Sequence, residues 1–108
     1  MDGEERFAAL AEEFAGSPDV TLPGADDARG FGANALRVRG SIFAMRSGGR
    51  LVVKLPAKRV AELIAAGDGE PFNAGKGRPM REWITVADDA DWLALAREAL
   101  AFVAAKRR

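Results

Sequence analysis

Three side chains central to covalent and acid–base chemistry are missing from this sequence. Its 108 residues include no His, no Cys and no Tyr. Thiol chemistry, disulfides and ordinary Cys/His zinc sites are excluded. Acid–base work would fall to carboxylates, lysines and a few hydroxyls. Ser17, Ser41 and Ser47 sit in turn-like contexts with no activating base close in sequence. The expectation is a protein that is not an enzyme and needs no cofactor and no metal. An enzymatic reading would require a pocket gathering Glu70, Lys76, Arg78 and Glu82.

Three short motifs invite sharper readings. Asp88-Asp89-Ala90-Asp91 offers oxygen ligands for a divalent ion. Acids ahead of a helix are better explained as caps and macrodipole partners, with Asp88 or Asp89 as the expected cap. Gly30-Phe31-Gly32-Ala33-Asn34-Ala35 has G-x-G-x-x-A spacing, but an acidic loop precedes it and a strand pattern follows. A dinucleotide turn needs a strand before and a helix after, so these glycines are read as easing the chain into a sheet. "GEPFNAGKGR" resembles a phosphate loop, yet Gly69 falls one residue early and Gly77 stands where a hydroxyl is required. A simpler anion site at Lys76, Arg78 and Arg81 stays open.

The remaining chemical signal is a row of cations. In "SIFAMRSGGRLVVKLP" and the run before it, Arg37, Arg39, Arg46, Arg50 and Lys54 alternate with apolar residues. Turn chemistry sets the expected register. Gly40-Ser41 suits a type II′ hairpin, and Ser47-Gly48-Gly49 suits a three-residue loop with Gly49 left-handed. Both put Leu36, Val38, Phe43, Met45, Leu51 and Val53 on one face and the five cations on the other, with Ile42, Ala44 and Val52. Arg46 and Arg50 then lie directly opposite, a repulsion tolerable in water and favourable around an anion. Few aromatics accompany the cations, which argues against stacking of single-stranded bases.

The elements that would position this row follow from periodicity. Phe7, Leu10, Ala11 and Phe14 mark a helix over 3–15, capped by Asp2 with Glu5 as its partner and ended by Gly16. A Gly/Pro/Asp-rich loop follows, with a short extended piece at Val20–Leu22. Pro56 opens a second helix that Gly67 closes. Glu70–Asn73 reads as a short edge strand and Trp83–Val86 as another. The last helix, to about Ala105, turns Trp92, Leu93, Ala96, Ala99, Leu100 and Val103 inward. Leu95 and Phe102 are left to one side, for a wider core or a partner subunit. The order is α-β3-α-β2-α: an α+β, two-layer sandwich with an antiparallel sheet and helices on one face. Residues 1–108 form one expected domain.

"RGFGANALRVRGSIFAMRSGGRLVVKLP" and "GEPFNAGKGRPMREWITV" resemble the TfoX/Sxy N-terminal domain and its relative, the MmcQ/YjbR group. The carrying positions are Phe31-Gly32, Phe43-Ala44, Leu51 to Lys54, Glu70-Pro71-Phe72, and Met80 followed by Trp83. The resemblance covers about residues 29–86 and implies the same α-β3-α-β2-α order. It also implies a bacterial, non-enzymatic protein, with competence-gene regulation among TfoX relatives and DNA binding among YjbR-like domains. Full-length TfoX relatives have a second, helical domain that this sequence does not contain.

Charge separates along the chain. Residues 1–30 carry a net of −6, residues 31–86 a net of +6, and the rest balance. Such asymmetry marks either a polyanion-binding surface or two segments that neutralise each other in the fold, here through Glu4, Glu5, Glu12 and Glu13. The acidic start MDGEERF is no secretory signal, and no apolar run is long enough to span a bilayer, so a cytoplasmic protein is expected. Two functional readings follow. One is a regulatory domain that contacts DNA or an acidic protein through Arg37, Arg39, Arg46, Arg50, Lys54, Lys76, Arg78 and Arg81. The other is a protein-interaction module or homodimer using an edge strand and the Leu95/Phe102 side of the last helix.

Overall fold

The computed structural model describes residues 3–22, 35–72 and 80–106. Asp2, residues 30–34 of the G-x-G-x-x-A stretch, Asn73, Lys76 and Arg78 lie outside the described residues. Among the described residues three helices, α1 (Gly3–Glu12), α2 (Ala57–Ala65) and α3 (Trp92–Lys106), accompany six strands. The strands are β1 (Val20–Thr21), β2 (Ala35–Val38), β3 (Ser41–Ser47), β4 (Arg50–Lys54), β5 (Gly69–Pro71) and β6 (Trp83–Val86). They form one antiparallel sheet in the order β1-β2-β3-β4-β6-β5. The expected α+β architecture is present, with the extended piece at Val20 now a sixth strand along β2.

All three helices contribute to one core. Phe7, Leu10 and Phe14 from the α1 region, Val60 and Leu63 from α2, and Leu95, Ala96, Ala99 and Val103 from α3 meet Leu36, Val38, Phe43, Leu51, Val53, Ile84 and Val86 of the sheet. The Phe14 and Phe43 rings meet edge to face, with centroids 5.6 Å apart. Arg59 ties α2 to α3 by a bidentate contact with Glu98, at 2.9 and 3.0 Å. Hydrogen bonding to Glu98 holds the Arg59 pKa above its ordinary value; burial opposes it, and the Glu98 and Glu62 charges add to the rise.

Both expected hairpin turns move by one residue; the pairing shifts by two residues beside the first turn, by one beyond the bulge in β3, and by one throughout the second hairpin. The first turn is Arg39-Gly40, not Gly40-Ser41, with Arg39 at φ 51° and Gly40 at φ 84°. The second is Gly48-Gly49, at φ 58° and 77°, with Ser47 paired to Arg50. Positive φ at both central positions is the type I′ pattern, whose twist suits two-residue hairpins. Arg39 accepts this left-handed conformation because its N–H reaches the Asp19 carbonyl at 2.9 Å and its Nε the Asp19 carboxylate at 3.1 Å. Both contacts come from the segment entering β1.

A one-residue shift moves side chains through the sheet. In β3 a bulge opposite Leu36 and Arg37 keeps Phe43 and Ala44 both in the core. Beyond it, Met45 turns to the outer face, away from the helices, while Arg46 pairs with Leu51 on the helix side. The expected positions of Ala44, Met45 and Arg46 are therefore reversed, and Arg46 and Arg50 are not opposite one another. The outer face is also less polar than expected. Val52 is fully buried and Ala35 nearly so, although neither belongs to the helix-side core.

Helix ends differ in detail. Gly67 follows α2 at φ 82°, as a stop signal should, whereas α1 ends at Glu12, three residues short of the expected 15, and Gly16 at φ 85° comes after a run of turns. Pro56 takes the N-cap of α2 rather than its first helical position. The cap of α3 is Asp91, whose Oδ1 accepts from the Ala94 N–H at 3.0 Å; neither Asp88 nor Asp89 does this. Leu95 is a core residue at 5% exposure, and Phe102 packs partly against the core beneath Lys106. Leu95 is thereby removed from any partner surface. Of the two edge strands, β1 has two residues and β5 ends in Pro71, which lacks a donor, so neither edge suits strand addition.

Candidate functional site

Antiparallel connectivity sorts the charged residues by sheet end rather than by face. β2 finishes, β3 starts, β4 finishes and β6 starts at one end. That end carries Arg37, the Arg39 turn, Ser41, Lys54, Arg81 and Trp83. The Leu55 N–H bonds to the Glu82 carbonyl at 3.0 Å, which holds residues 81–83 beside the finish of β4. α2 opens here, with Lys58 in its first turn and no side-chain acceptor at Pro56, so the positive end of its dipole adds to the cations. Arg37 pairs with Ile42, while Lys54 follows Val53, the partner of Ala44. Both lie on the outer face on either side of β3, about 10 Å apart by strand spacing.

The opposite end is where the acids gather. Arg50 is occupied there: Nη2 donates to the Val86 carbonyl at 3.3 Å, Nε faces Asp88 at 3.3 Å, and Nη1 faces Glu70 at 3.7 Å. The Nε contact is an ion pair rather than an aligned hydrogen bond. Arg6 donates to the Asp88 and Ala90 carbonyls and lies 3.8 Å from the centroid of the Trp92 ring, clasping α1 to the loop before α3. The acidic run thus serves Arg50 and the α3 cap. Among the described residues no group of three acids is arranged to hold a metal ion.

The eight cations singled out in the sequence divide as follows. Arg37, Lys54 and Arg81 share one end and have no acidic partner among the described residues. Arg39 is at that end but is engaged by Asp19. Arg46 is on the helix side, and Arg50 is neutralised at the far end. Lys76 and Arg78 lie outside the described residues; the chain on either side of them, at Phe72 and Met80, is joined by a 2.9 Å backbone bond at the cationic end. Among the described residues no ion pair links Glu12 or Glu13 to the row.

Two features of this end escaped sequence reasoning. A shallow pocket of about 270 Å³ is lined by Ser41, Lys54, Val103 and Lys106. Lys106 also contacts Glu82 at 3.4 Å. Trp83 stands on the same outer face as Lys54, whose Nζ is 5.6 Å from the ring centroid, with the Phe72 ring 6.5 Å away. An aromatic pair therefore accompanies the cations. The signal for it was the strand phase of Trp83, recoverable only once its pairing with Lys54 was known.

The family model named YjbR matches residues 20–100. The chain belongs to the YjbR family. The match takes in every strand, α2 and most of α3, and so includes the cationic end apart from Lys106. It accords with the YjbR side of the resemblance. No curated protein and no solved structure matches the chain. Among the described residues no helix is long and apolar enough to cross a membrane.

Proposed function

We propose that this YjbR-family chain is a non-enzymatic regulatory domain that binds a polyanion, DNA foremost, at the cationic end of its sheet. The carrying observation is the set of Arg37, Lys54 and Arg81, which share one end while acidic side chains occupy Arg39, Arg50 and Arg59. The uncapped α2 N-terminus and Lys58 strengthen the same field. A separation of about 10 Å between Arg37 and Lys54 is enough for the two side chains to reach different phosphates of one backbone. Phosphate contacts of this kind position a duplex without reading its sequence.

A fluorescently labelled duplex of about twenty base pairs, titrated at 50 and 200 mM salt, tests the proposal. Three phosphate contacts give a slope of about −2.7 in log K against log salt, or about a forty-fold loss of affinity over that range. Lys54→Gln should reduce the loss to about twelve-fold, one contact fewer. Absence of binding at both salt concentrations rejects the proposal.

A further inference from the structure

We infer that the cationic end takes an unpaired nucleobase together with its phosphate: the base on the Trp83 ring, the phosphate between Lys54 and the pocket beside it. This rests on the polyanion reading above and adds a ligand class to it.

The two tryptophans of the chain are held in different ways. Trp92 is buried, donates through Nε1 to the Ala87 carbonyl at 3.1 Å, and has its ring under the Arg6 guanidinium. It is fully used by the fold. Trp83 is half-buried at the start of β6, and its indole N–H has no protein partner among the described residues. The Trp83 backbone N–H donates to the Met80 carbonyl at 3.1 Å, and the Met80 backbone N–H to the Phe72 carbonyl at 2.9 Å, so a braced backbone holds the ring beside Phe72. Met80, at 42% exposure, is the exposed large hydrophobic side chain of the described residues. Phe72, Met80 and Trp83 thus present apolar and aromatic surface next to Lys54 and Arg81.

Lys54 joins this platform to the pocket. Its ammonium lies 5.6 Å from the Trp83 ring centroid, and Lys54 is also one of the residues lining the pocket, with Ser41, Val103 and Lys106. Two lysines and a serine, residue types that bind phosphate oxygens, are among the lining residues, and about 270 Å³ leaves room for a phosphate with several waters. Glu82 opposes this by holding Lys106 at 3.4 Å, so an incoming phosphate must compete with one carboxylate. At 5.6 Å the Lys54 contact with the ring is loose. A base sliding onto the ring replaces it with stacking, which is stronger, and releases the ammonium to the phosphate. Bases inside a duplex are already stacked and cannot make this exchange, so single strands or free nucleotides are favoured over duplex.

The experiment follows tryptophan emission while oligo(dT) of ten nucleotides, thymidine monophosphate, the matching duplex and inorganic phosphate are titrated separately at 50 mM salt. The expected result is quenching by the oligonucleotide or the mononucleotide, with tighter binding than the duplex shows. Tighter binding of the oligonucleotide assigns the site to single strands; equal affinity for the mononucleotide assigns it to free nucleotides. Trp83→Leu keeps apolar bulk but has no π-face, and should weaken binding about 5- to 150-fold. Trp83→Phe should restore most of the affinity while abolishing the quench, because Trp92 is buried. Equal binding of duplex and oligonucleotide without quenching, unaffected by Trp83→Leu, overturns the inference and leaves the polyanion reading standing. Inorganic phosphate binding as tightly as the nucleotide also overturns it, leaving a plain anion pocket. No binding by any probe removes both.

Discussion

Replacing Arg50 with Met distinguishes the observed strand register from the one turn chemistry suggested, because the two give effects of opposite sign. In the expected register Arg50 faced Arg46, and removing one of two like charges would stabilise the protein by up to about 1 kcal/mol. In the structure Arg50 instead joins the start of β4 to the finish of β6 through the Val86 carbonyl, Asp88 and Glu70. The charge-assisted bond to the carbonyl, long at 3.3 Å and partly solvated, contributes about 1 kcal/mol. Each ion pair adds about 0.3–0.5 kcal/mol, since Glu70 and Asp88 are more than half exposed. Methionine keeps the apolar stem, and both freed carboxylates rehydrate, so no stranded charge adds to the loss. The expected destabilisation is about 1.5–2 kcal/mol, or about 6–16 °C in Tm for a domain of this size. Thermal unfolding followed by circular dichroism measures it directly. At 0.5 M salt the gap between the two proteins should narrow by about a third to a half as the ion pairs are screened. A variant as stable as the parent, or more stable, refutes the placement of Arg50.

Other substitutions test separate parts of the structure. Asp91→Ala removes the α3 cap and should cost about 1 kcal/mol in urea unfolding, whereas Asp89→Ala should be near neutral. Gly3→Ala should destabilise although alanine is the better helix former, because its Cβ would fall 1.7 Å from the Gly49 carbonyl oxygen; denaturant midpoints give the sign. Glu82→Gln releases Lys106 and should tighten oligonucleotide binding and steepen its salt dependence, the reverse of Lys54→Gln; anisotropy titration compares the two.

Much of the architecture was legible because short-range rules and burial agree. Phe7, Leu10 and Phe14 at helical spacing, Val60 and Leu63, and the strand residues Leu36, Val38, Phe43, Leu51 and Val53 all reach the core assigned to them. Gly67 ends α2 as its backbone freedom suggests. The errors cluster where two local solutions were close in energy. Gly40-Ser41 and Arg39-Gly40 are both plausible turns, and Leu93/Leu100 and Leu95 compete for the inner face of an almost wholly apolar helix.

By itself, the sequence determined the α+β class, the order of elements, the absence of thiol and imidazole chemistry, and a concentration of cations in residues 31–86. Periodicity, turn residues and composition act over a few positions, and that range was enough. Only the tertiary structure decided where the cations went. Asp19 drew Arg39 into the turn, the bulge at Phe43 sent Met45 outward and Arg46 inward, and Asp88 and Glu70 captured Arg50. The ion pairs join segments far apart in sequence, and at the bulge a shift of one residue in a strand reverses its faces, so local signals alone could not choose between them.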